Sequence, residues 1–151
     1  GQNFQLGPHM RINTWDQALM AYIEDCRYKP FEWAVHDCTV FVRGACQAQL
    51  GKDLFEGHVP SYKTVKGAKS AYGRLLGKSK SYKTILDGVL TPFQGLLAPR
   101  GSIVARQTST GAGAVLGAAL GVVVSRHVAF VGEQGLEFLL ADPTDEAWVL
   151  E

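Results

Sequence analysis

A chain of 151 residues is long enough for one domain with a real core, and its ordinary apolar content excludes a disordered protein. The net charge of +1 gives no global reason to expect nucleic acid or an anionic membrane as partner. Three cysteines, Cys26, Cys38 and Cys46, are an odd number that argues against a disulfide framework, so the thiols are expected to be unpaired.

In chain order, Gly7-Pro8-His9-Met10 reads as a protease-site remnant followed by a cloning junction. Residues 1–9 are therefore expected to be an expression-tag remnant, Met10 the start, and 10–151 a single domain. No signal peptide is visible. Thr14 and Gln17 have capping-box spacing ahead of a helix with the apolar stripe Trp15, Leu19, Tyr22, Ile23 and Cys26. Pro30 is expected to end it.

Phe31 and Trp33 lead into the stretch on which the chain centres, WAVHDCTVFVRGACQAQLG from Trp33 to Gly51. Asp37 is a good N-cap and Gly51 a good helix stop. Between them Phe41, Val42, Ala45, Cys46 and Leu50 form an apolar face, which Gln49 interrupts. Cys38 falls at the first helical position. Unpaired N–H groups and the positive end of the helix dipole favour a thiolate there. The bland alternative is a small buried hydrophobe, the usual job of a free cysteine. Cys38–Cys46 and His36–Cys38 spacings match no usual zinc pattern, and no cofactor is expected.

Residues 52–60 read as a loop carrying His58. From Ser61 to Leu90 the pattern is helical again, broken near Gly77. No acidic residue occurs between Glu56 and Asp87, while seven cations do: Lys63, Lys66, Lys69, Arg74, Lys78, Lys80 and Lys83. This is either a solvated helix face, the favoured reading, or a surface for a polyanion such as a teichoic acid, a nucleic acid or an acidic partner protein. The lysines are not interleaved with exposed aromatics as in a nucleic-acid platform, so no nucleic-acid partner is expected.

The second half reads as strands. These are Gly101–Ala105, the valine-rich end of Val115–Val124, His127–Val131, Leu136–Leu140 and Trp148–Leu150, with turns at Ser125-Arg126 and Glu133-Gln134-Gly135. Val115–Val124 is too short to span a bilayer, so no membrane insertion is expected. Helices followed by strands predict an α+β fold, an antiparallel sheet packed on the Cys38 helix.

Asp37-Cys38-Thr39 resembles the Asp-Cys-Ser-Gly motif that opens the central helix of the NlpC-type, papain-like cell-wall cysteine peptidases, with Thr-Val for Ser-Gly. Gly101-Ser102 resembles the family's Gly-Asp strand start, with serine for aspartate. His127-Val128-Ala129-Phe130-Val131-Gly132 resembles its base-bearing strand. The likeness covers residues 13–151 in plan and is nearest to small members encoded in phage and prophage tail gene clusters. A second register is open: Ala119-Leu120-Gly121-Val122-Val123-Val124 also resembles that strand. Ala119 then stands at the histidine position and the inherited base is missing.

The resemblance implies a hydrolase of peptidoglycan stem-peptide amide bonds. Cys38 would be the nucleophile, His127 the base, and Glu137, in the next strand, the group orienting the imidazole. Trp33, His36 and Asp37 would line the substrate cleft. The alternative is a tail-tip or tail-assembly protein that keeps the fold without the activity. Expected partners are peptidoglycan peptide or other tail proteins, in a virion tail or in the host cytoplasm during assembly.

Overall fold

The computed structural model describes residues 10–57, 62–76, 82–94, 97–108 and 113–150. His9 and His58 lie outside the described residues, as do Gly77, Lys78 and Lys80.

Helix α1 spans Trp15–Cys26 and buries Leu19, Ile23 and Cys26. The capping box does not form: Thr14 makes no side-chain cap bond, and only its carbonyl is used, by the Ala18 N–H at 2.9 Å. The helix stops at Cys26, ahead of Pro30. Helix α2 spans Cys38–Leu50, capped as expected at both ends. Asp37 accepts from the Val40 N–H, and Gly51 closes the last turn at φ 74°, a conformation suited to glycine. The cationic stretch forms α3, Val65–Leu76, and α4, Tyr82–Val89.

The strands are β1 Thr91–Phe93, β2 Ile103–Gln107, β3 Ala118–Val124, β4 His127–Gly132, β5 Gly135–Leu140 and β6 Glu146–Val149. A four-residue helix, α5 (Gly113–Leu116), precedes β3. They make one antiparallel sheet in the order β1-β6-β2-β3-β4-β5. The α+β architecture expected from the sequence is the one observed. Three features were not foreseen: the short helix α5, the strand β1, and the return of the last strand, β6, to lie between β1 and β2.

Successive side chains on a strand face opposite ways. One sheet face carries Ile103, Ala105, Ala118, Leu120, Val122, Ala129 and Trp148, and packs with Leu19, Phe41, Val42, Ala45 and Leu86 of the helices. The other carries a smaller cluster of Val104, Val123, Val128 and Phe130, flanked by Ala98, Ala119 and Ala147. Trp148 fixes α4 to the sheet: its indole N–H donates to Asp87 at 2.8 Å, and Tyr82 donates to Glu146 at 2.7 Å.

Helix α2 lies along β3. Its N-terminal Cys38 is beside Leu120, whose backbone N–H reaches the sulfur. Near its C-terminal end the Gln49 amide donates to the Gly101 carbonyl at 3.0 Å, and the Gly101 N–H reaches Val123. The polar residue that interrupts the apolar face is thus the tie between α2 and the chain entering β2. Gly101 has φ +87°, and a Cβ there would land on the Gln49 side chain.

Candidate site at the start of helix α2

Three residues of the site are buried side by side in sequence: His36, Asp37 and Cys38. The approach to them is a tight turn. The His36 N–H donates to the Glu32 carbonyl at 2.7 Å, and the Glu32 N–H returns to His36 at 3.2 Å. Ala34 sits at φ 69°, a left-handed conformation that costs an alanine about 1–2 kcal/mol. What holds it there is Asp37, whose Oδ2 accepts the Ala34 N–H at 2.9 Å.

Asp37 is fully engaged. Oδ1 accepts the Val40 N–H at 2.9 Å and the Thr39 hydroxyl at 2.7 Å. Oδ2 also accepts the Tyr62 hydroxyl at 2.7 Å. Asp37 thus joins the 32–36 turn, the α2 cap and the segment before α3. Trp33 is half-buried within an aromatic group, edge-on to Phe31 and to Tyr62. His36 is 5 % exposed, edge-on to Phe41, and its Nε2 has no hydrogen-bond partner among the described residues. Burial holds the His36 pKa below its ordinary value, with nearby Lys29 acting in the same direction.

Cys38 is 4 % exposed. Burial pushes its thiol up to about 12, with Asp37 adding to the rise. The N–H groups of Leu120, Cys38 and Thr39 pull the other way, as a helix start should, but desolvation is the larger effect. The sulfur is therefore a thiol at neutral pH, not the thiolate that the helix position alone favours. Cys26 and Cys46 are likewise buried and free, with thiols shifted upward by burial.

His127 and Glu137 are not brought to Cys38. The β3–β4 register pairs Gly121 with Phe130 and Val124 with His127, so Val131 is the β4 position level with Leu120. His127 is four residues further along, roughly 13 Å by strand rise, exposed beside the Ser125-Arg126 turn. That is the end of the sheet where Gln49 holds Gly101, the opposite end of α2 from the thiol. Glu137 pairs with Phe130, which belongs to the second face, so its side chain points away from the helices. His127 pairs with Leu140, three residues from Glu137. The strand that follows β2 and pairs with it is Ala118–Val124, not the His127 strand. On it Ala119 faces the second side, and the residues facing α2 near the thiol are Ala118 and Leu120.

Residues 10–150 match a family described as a domain of unknown function, DUF6950. The chain belongs to that family. No curated protein and no solved structure matches it. Tyr62 and Ala34 are the parts of this DUF6950 site that sequence reasoning missed. Asp37 was legible as a cap, but nothing local ties it to a tyrosine 25 residues away.

Around the site, Lys63, Lys66 and Lys69 of the DUF6950 chain are exposed, and Lys83 pairs with Glu146 at 3.1 Å. Of Arg74 only the backbone is described. Among the described residues no helix is long and apolar enough to cross a membrane, and no group of three or more His, Cys, Asp or Glu side chains forms a metal cluster.

Proposed function

We propose that this chain is an NlpC-like domain whose cysteine site has been converted from chemistry to structure, and that it acts as an assembly protein of a phage tail tip. The observation that carries this reading is the surroundings of Cys38: a buried thiol whose facing strand offers Ala118 and Leu120 where a base is needed. A cysteine hydrolase needs a histidine within hydrogen-bond reach of the sulfur. The NlpC likeness rests on Asp37-Cys38 opening a helix against an antiparallel sheet whose β2 is entered through Gly101-Ser102. The tail assignment rests on the resemblance to small phage-encoded members. Lys63, Lys66 and Lys69 then offer a docking face for an acidic partner protein.

One observation favours the hydrolase reading, with peptidoglycan stem peptide as substrate. The backbone N–H groups of Leu120, Cys38 and Thr39 lower the Cys38 pKa, so the start of α2 favours negative charge there.

The test is release of muropeptides from purified peptidoglycan by wild-type protein and by Cys38→Ala. Equal, background release from both is expected. Release by the wild type that Cys38→Ala abolishes would overturn the proposal.

A further inference from the structure

His36 holds the 32–36 turn shut. Its backbone bridges Glu32 through two hydrogen bonds, 2.7 Å and 3.2 Å. The residue is 5 % exposed and its ring is edge-on to Phe41, which stacks on Tyr22 of α1. The chain just ahead of the turn is tied to the sheet, where the Phe31 N–H donates to the Gly132 carbonyl at 3.0 Å. Yet Nε2 has no hydrogen-bond partner among the described residues, and Ala34, in the same turn, sits at φ 69°. A buried orphan atom and a strained backbone in one turn mark a place where the fold stores free energy.

A neutral imidazole tolerates this, with Nε2 as its bare acceptor nitrogen. An imidazolium does not: both nitrogens become donors, and a buried charge needs a partner. The groups around the ring supply none without breaking something. Lys29, after α1, opposes the charge, and Asp37, ahead of α2, favours it. But the Asp37 oxygens already take Ala34, Val40, Thr39 and Tyr62, so turning to His36 would undo both the turn and the α2 cap. Tyr22 spends its hydroxyl proton on the Phe41 carbonyl, and burial keeps Cys26, beside it, a neutral thiol. Glu32 meets His36 through its backbone, and Glu133 and Glu137, at the sheet, are exposed to water.

We propose that the 32–36 turn is an acid-released latch on the start of α2. Protonation of His36 expels the imidazole, unzips the Glu32 bridge and lets Ala34 leave its left-handed conformation. Cys38, two residues on, is uncovered, while the rest of the fold holds. The rest holds because the other anchors of α2 lie away from the turn: Gln49 on Gly101, and Arg43 on Asp53. The released segment carries the packed pair Phe31 and Trp33, so acid turns a closed aromatic contact into exposed apolar surface. The latch works in the same way whether or not Cys38 performs chemistry.

Labelling of the full chain with 4,4′-dithiodipyridine, a thiol reagent active in mild acid, tests this, with mass spectrometry to identify the modified cysteine. Rates are taken relative to free cysteine at each pH. Cys38 should be protected at about pH 7.5 and react at least about tenfold faster at about pH 5. Cys46, buried two turns further along α2, should stay protected at both and so separates local opening from unfolding. His36→Phe fills the same space without a proton to take up and should abolish the rise; circular dichroism and thermal melting check that it folds. In the wild type itself, the NMR amide signals of Glu32, Ala34 and Val40 should follow the titration of the His36 imidazole while those of Gly101 and Val123 stay in place. A Cys38 still protected at about pH 5 would overturn the proposal. So would Cys38 and Cys46 becoming reactive together, a rise that survives His36→Phe, or turn amides that ignore the His36 titration.

Discussion

Tyr62 donates its hydroxyl to Asp37 Oδ2 at 2.7 Å, while the same carboxylate caps α2 through Val40. One side chain therefore holds a helix start, a strained turn and a segment 25 residues away. A hydrogen bond to a charged acceptor contributes roughly 1.5–3 kcal/mol. Tyr62→Phe should cost about that much in urea denaturation. Asp37→Ala should cost more, about 3 kcal/mol or above, because it removes the cap and leaves the Ala34 N–H without its acceptor. The double variant should lose less than the sum by at least about 1 kcal/mol, since the two share a bond. Additive losses would show that the pair is not coupled.

Ala34 is the second prediction. Glycine adopts φ 69° without the alanine's steric penalty but loses more entropy on folding, so Ala34→Gly should change stability by less than about 1 kcal/mol. Ala34→Val adds branching where the backbone is already left-handed and should destabilise by roughly 2 kcal/mol or more. Thermal melts of the two variants check this. A Val variant as stable as the wild type would mean the turn is relaxed.

The buried thiol sets the alkaline behaviour. The Cys38 pKa is raised from 9.0 to about 12 in the folded chain, chiefly by burial. Its contribution to stability is therefore complete below pH 9.0 and is lost as pH rises towards about 12, at up to about 1.4 kcal/mol per pH unit. Cys46 acts in the same direction. Denaturation curves between about pH 8 and 10.5 should fall for the wild type and fall less steeply for Cys38→Ala. Identical slopes would show that Cys38 ionises freely in the fold.

His36 sets the acid limb. Its pKa is lowered from 6.5, with burial the main cause and Lys29 contributing. A depressed folded pKa means that the unfolded chain takes up the proton first. Stability is thus intact above about 6.5 and drains as pH falls from there through the folded value. His36→Phe should flatten this limb between pH 7 and 5 in the same denaturation assay. Asp37 favours the imidazolium, but burial outweighs it, and the Nε2 has no hydrogen-bond partner among the described residues.

The sequence by itself determined what rests on neighbours along the chain. Asp37 and Gly51 set the ends of α2 because a cap bond spans three residues and a left-handed stop needs one glycine. The Ser125-Arg126 and Glu133-Gln134 turns set the β3–β4–β5 meander for the same reason: a hairpin's register follows from its turn. Thr14 is the local rule that failed, its capping pattern present but its side chain unused. β1 was illegible because three residues containing a proline show no alternation. The return of β6 between β1 and β2 leaves no mark on any window of sequence.

Tertiary structure alone decided the site. Cys38 has the position of an activated thiolate, and burial against β3 overrides it. His127 and Cys38 both looked like members of one site, yet the register of β4 puts them at opposite ends of α2. Alternation turns Glu137 and Ala119 to the far face. The physical reason is one of range. Caps and turns act over a few residues, whereas desolvation and the distance between two side chains depend on which strands the whole chain brings together.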